Sequence, residues 1–77
     1  RVEEIENITT SKIGVTNAYA INAGREVRVI VNAKLVNDDE AVLLATEIAK
    51  EIEEKVQYPG EIKINVIREI RAESYAR

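Results

Sequence analysis

The sequence predicts an α+β fold: a small three-stranded sheet with one long helix packed on one face, in the order α-β-β-α-β. Three observations predict it. Residues 26–34 alternate Val27, Val29 and Val31 with Arg28, Ile30 and Asn32, the two-residue period of a strand. Residues 61–70 repeat that period, with Ile62, Ile64 and Val66 opposite Lys63, Asn65 and Ile67. Between them Ala41, Leu44, Ala45, Ile48, Ile52 and Val56 recur at three- and four-residue spacing, the apolar stripe of an amphipathic helix.

The remaining elements follow in order. Val2, Ile5 and Ile8 are spaced by three with glutamates between them, which predicts a short helix in residues 1–13 that continues from a preceding domain. Thr9, Thr10 and Ser11 weaken it, and Gly14 is expected to end it. Residues 15–23 read as a strand around Tyr19 and Ile21, closed by a hairpin turn at Asn22-Ala23-Gly24-Arg25. Asn37, Asp38 and Asp39 offer an N-cap for the long helix, with Glu40 in its first turn, because short acceptor side chains satisfy the orphan N–H groups there. Tyr58-Pro59-Gly60 is expected to stop that helix. The charged stretch 68–77 either prolongs the last strand or coils over the sheet. The expected strand order is 3-1-2, a fully antiparallel sheet.

With 77 residues the chain forms one domain, 1–77, and a chain this short buries only about 60% of its unfolded surface. It has no cysteine, and Phe and Trp are absent, so the core must be aliphatic and is expected to lean on a partner surface. It starts at Arg1 and contains no methionine, which points to a domain taken from a longer chain. The net charge of −3 opposes strong nonspecific nucleic-acid binding by the whole domain. That charge is uneven: residues 38–55 hold seven acids and two lysines, and residues 25–36 hold three bases and one acid.

Histidine and cysteine are both missing, which removes the usual general base, a thiol nucleophile and the common zinc ligands. Asp38, Asp39 and Glu40 stand where a helix cap needs them, so capping is favoured over metal binding. No catalytic, cofactor-binding or metal-binding residue is assigned. The candidates are contact residues. Arg25, Arg28, Lys63, Arg68 and Arg71 could line one side of the sheet and meet RNA phosphates or a partner; the competing reading is solvated surface paired with Glu26, Glu61 and Glu69. Ile30 and Ile67 fall on the face opposite the long helix and are candidate interface residues, unless the first helix covers that face. Tyr19, Tyr58 and Tyr75 are expected to pack in the core or at its rim, with no stacking platform beside the bases.

Several motifs resemble a known family. Ala18-Tyr19-Ala20-Ile21-Asn22-Ala23-Gly24-Arg25-Glu26-Val27-Arg28 is similar to the hairpin at the C-terminal end of bacterial ribonuclease Y. Asp39-Glu40-Ala41-Val42 resembles the start of its following helix, Tyr58-Pro59-Gly60-Glu61-Ile62-Lys63-Ile64-Asn65-Val66-Ile67-Arg68-Glu69 its last strand, and Arg71-Ala72 with Tyr75-Ala76 its terminus. The resemblance spans about residues 14–77; Thr9-Thr10-Ser11-Lys12 departs from the usual pattern. It implies a parent endoribonuclease that initiates mRNA decay, anchored in the membrane and working on its cytoplasmic side. Such a parent carries a KH domain for RNA and an HD domain that holds a divalent metal. No residue of that metal site falls in this chain. The resemblance therefore implies a non-catalytic accessory domain with no membrane contact of its own. Its partners would be the preceding HD domain, a second copy in a homodimer, or RNA through the parent. A free-standing regulatory or interaction domain is the alternative that ignores the resemblance.

Overall fold

The computed structural model describes residues 2–58 and 60–77. The elements are α1 (Val2–Thr10), β1 (Val15–Ile21), β2 (Glu26–Asn32), α2 (Asp38–Lys55) and β3 (Lys63–Glu69), in the predicted order α-β-β-α-β.

The first helix survives its hydroxyl-rich end because those hydroxyls turn back onto the helix. Thr9 Oγ1 donates to the Ile5 carbonyl at 2.8 Å, Thr10 Oγ1 to Glu6 O at 2.9 Å and Ser11 Oγ to Ile8 O at 2.7 Å. Thr9 is thereby buried without an orphan polar atom. Gly14 then turns the chain at a φ of +87°. A Cβ at that position would stand 2.6 Å from Val36 Cγ2, so glycine is required twice over.

β1 and β2 form the expected hairpin, pairing Ile21 with Glu26. Its loop holds three successive residues in the left-handed region, Asn22, Ala23 and Gly24. A bulge near Thr16 shifts the register at the other end of β1.

β3 pairs with β2 in parallel, so the sheet is mixed and its order is β1-β2-β3, not 3-1-2. The physical reason lies in β2. Val27, Val29 and Val31 are all fully buried, and a strand so apolar gains most from two neighbours. β1, with Thr16, Asn17, Ala18 and Ala20, offers less apolar surface and stays at an edge.

α2 begins with a capping box: Glu40 N donates to Asn37 Oδ1 at 2.8 Å, and Asn37 N to Glu40 Oε1 at 2.9 Å. It ends at Lys55, earlier than the expected stop, because Val56 turns to an extended conformation while its N–H still bonds Ile52 O. Pro59, part of that expected stop, lies outside the described residues.

Both helices cover one face of the sheet. Ile5 of α1 and Leu44, Ile48 and Ile52 of α2 share one core with Val27, Val29 and Val31. α1 packs on β1 and α2 on β3, with the α1 end tied to α2 through a Lys12–Glu51 ion pair. The other face carries no helix. After Glu69 the chain runs on without regular structure, and residues 70–77 are exposed throughout.

Candidate contact surface

Strand register builds the open face residue by residue. Side chains alternate along a strand, so the residues between Val27, Val29 and Val31 all point away from the helices. The pairing then sets three rows across the sheet. Ile21, Glu26 and Lys63 form the row nearest the hairpin; Tyr19, Arg28 and Asn65 form the next; Asn17, Ile30 and Ile67 form the third.

Ile30 and Ile67, expected from the sequence to share this face, are direct cross-strand partners. Ile67 is 38% exposed. α1 does not cover them, because Ile5 is committed to the core on the other side.

The five basic candidates do not form one surface. Arg28 and Lys63 lie on the open face, flanking Glu26. Arg25 sits in the hairpin loop and its Nε donates to Asn22 O at 3.3 Å. Arg68 lies at the helix side of β3. There its Nε donates to Val36 O at 2.8 Å, Nη1 to Asp38 Oδ1 at 2.6 Å and Nη2 to Ala33 O at 3.2 Å. Those three bonds staple the end of β3 to the β2–α2 connection. Arg71 follows β3 and its Nε donates to Glu69 Oε2 at 2.7 Å. Glu26 itself is 9% exposed: Asn22 Nδ2 donates to its Oε1 at 3.3 Å and Arg28 Nε to its Oε2 at 3.4 Å. Arg28 is thus paired with Glu26 and Arg71 with Glu69, which offsets much of the positive charge and makes the face a mixed apolar, amide and ion-paired surface rather than a basic one.

Tyr19 was the residue missed. It is 39% exposed on the uncovered face and is the cross-strand partner of Arg28, whose guanidinium turns to Glu26. Its partner could have been found from the turn: a loop of Asn22-Ala23-Gly24-Arg25 pairs Ile21 with Glu26, and two residues on, Tyr19 with Arg28.

A second feature lies at the far end of the molecule. Ile13, Leu35 and Leu43 are 92%, 64% and 61% exposed. They surround a cleft of ≈ 370 Å³ floored by Val36 and Leu44 and rimmed by Glu40 and Glu47. Among the described residues no group of three or more His, Cys, Asp or Glu could hold a metal ion, and no helix is long and apolar enough to cross a membrane.

No family model matches the chain, and no solved structure does. Curated relatives match it over all 77 residues, residues 1–13 included. The chain is 90% identical to a ribonuclease Y of Aliarcobacter butzleri (strain RM4018), 77% to one of Campylobacter curvus (strain 525.92), and 73% to one of Campylobacter jejuni (strain RM1221). In the first two it covers 15% of the relative's length.

Proposed function

Since the chain is a ribonuclease Y-related segment, we propose that it is a non-catalytic docking domain of that enzyme, closing its own core on one sheet face and offering the other to the parent. In this reading the parent is a membrane-anchored endoribonuclease that initiates mRNA decay on the cytoplasmic side. The HD domain, with its divalent metal, performs cleavage, and RNA reaches it through the parent. This segment supplies a rigid surface against which that domain is held.

One observation carries the proposal: Ile30 and Ile67 lie side by side on a sheet face that neither helix covers, with Tyr19 in the next row. An apolar strip rimmed by Asn17, Arg28 and Asn65 has the make-up of a protein contact, with an apolar centre and a polar rim. The total lack of His and Cys in the sequence agrees with a contact role.

The experiment is made in the full-length parent. Ile30→Asp combined with Ile67→Asp is expected to leave the segment folded, since both side chains lie outside its core, and to lower RNA cleavage while opening the segment to limited proteolysis. Deletion of residues 14–77 is expected to lower cleavage or change the oligomeric mass. Unchanged cleavage, mass and proteolysis in both variants would defeat the proposal.

A second reading is direct RNA contact through the same face, favoured by Tyr19 and Arg28, cross-strand partners that put an aromatic residue and a cation on one open face. It predicts that Arg28→Ala in the parent weakens RNA binding and reduces the salt slope by about one unit. An unaltered slope excludes it, and the pairing of Arg28 with Glu26 makes docking the better supported reading.

A further inference from the structure

The cleft at the α2 end is separate from the open sheet face, and its chemistry specifies an occupant. Its floor is aliphatic, its walls are Ile13, Leu35 and Leu43, and its rim is acidic through Glu40 and Glu47. The helix behind it carries seven acids and two lysines over residues 38–55. A matching segment would be extended, apolar and basic.

This chain contains such a segment. Residues 70–77 hold two arginines against one glutamate, together with Ile70 and Tyr75, which are 73% and 77% exposed. Arg77 lies over the Tyr75 ring at 5.7 Å, so a ring and a cation are presented together. The arm stands off the body of its own domain: the molecule measures 51 Å along its longest axis against 27 and 17 Å on the others.

Arm and cleft also share one end of the domain. Glu69 O, at the root of the arm, accepts the N–H of Ala33, two residues before Leu35 of the cleft wall. A root beside its own cleft suits a two-fold contact, in which each copy reaches across into the other and both exchanges close. Eight extended residues span about 26 Å, enough to cross such a contact.

We propose that the cleft of Ile13, Leu35 and Leu43 receives the Ile70–Arg77 arm of a second copy of this chain, an exchange that pairs two parents through this domain. The inference does not depend on what the open sheet face binds.

The segment has no cysteine, so thiol crosslinking in the full-length parent, freed of its other cysteines, tests it directly. Two differently tagged forms, one Leu43→Cys and one Tyr75→Cys, are mixed and mildly oxidised. A docked arm raises the local thiol concentration to the order of mM, so mixed-tag disulfides are expected at least about tenfold faster than between Tyr75→Cys and a control Glu61→Cys. Glu47→Lys is expected to slow the crosslink and Arg71→Glu added in the arm-bearing copy to restore part of it. Crosslinking no faster than the control overturns the proposal. So does a chain bearing both cysteines that links only within itself, which would place the arm in its own cleft. RNA cleavage plays no part in the readout, so failure here is distinct from failure of the docking reading.

Discussion

The two faces of β2 use one strand to opposite ends. Toward the helices, Val27, Val29 and Val31 are fully buried, with Ile5, Ile48 and Ile52 closing over them. Away from the helices, the alternate residues are Glu26, Arg28, Ile30 and Asn32, which meet strand and loop neighbours. β-branched residues appear on both sides, so intrinsic strand preference does not separate the faces. Packing does: one side is buried and mainly aliphatic, the other mixes apolar, amide and charged groups. A three-stranded sheet packed on helices meets the general requirement for independent stability with one face covered, and here the second face carries no helix.

That difference can be broken most sharply by truncation on each side. Ile48→Ala empties the centre of the covered core and is expected to destabilise by about 2–5 kcal/mol. Ile67→Ala, on a side chain already 38% exposed, is expected to stay within about 1 kcal/mol in the unbound segment. Urea midpoints, followed through the amide protection of β2, compare the two. Equal costs would mean that the open face is as much a part of the core as the covered one.

Much of this division was legible in the sequence. The two-residue alternation of β2 and β3 placed Val27, Val29, Val31, Ile64 and Val66 under a helix and Ile30 and Ile67 opposite, as the structure has them. The helix signals were equally plain, because Asn37 and Glu40 form a cap from neighbours in the chain. What failed was long-range. Periodicity fixes which way a side chain points and not which strand lies beside which, so the place of β3 was misread. The supposed basic face failed for a local reason instead: Arg68 and Lys63 are five residues apart on one strand and therefore emerge on opposite sides, which the two-residue period itself implies. The cleft of Ile13, Leu35 and Leu43 left no local pattern at all, since its walls come from two connections and a helix.

A smaller effect sharpens the account of how the covered face is closed at its end. Gly14→Ala places a Cβ within 2.6 Å of Val36 Cγ2 at a φ of +87°, and Val36 is itself part of the core. The expected cost is about 1–3 kcal/mol. Gly60→Ala meets nothing within 4 Å, though its φ is also positive, and should cost less. Thermal unfolding of the two variants ranks them; a Gly60 variant as damaged as the Gly14 variant would show that backbone conformation alone, and not the approach of Val36, makes Gly14 necessary.

The smallest effect concerns the seam between the helices. Hydrogen bonds from Lys12 first and Lys55 second hold the Glu51 carboxyl below its ordinary pKa. A depressed carboxylate favours the folded form above its unfolded pKa, and that contribution fades as the pH falls through the folded value. The seam should therefore be tightest near neutrality and loosen in acid, in the range below the usual carboxylate pKa. Lys12→Met removes the leading partner and should flatten that acid dependence while changing neutral stability only slightly, as expected of a solvent-screened pair. Comparing the pH dependence of unfolding between pH 3 and 7 in the wild type and the variant decides it. If both curves fall together, Glu51 is held by Lys55 along α2 and the contact from Lys12 is not what joins the two helices.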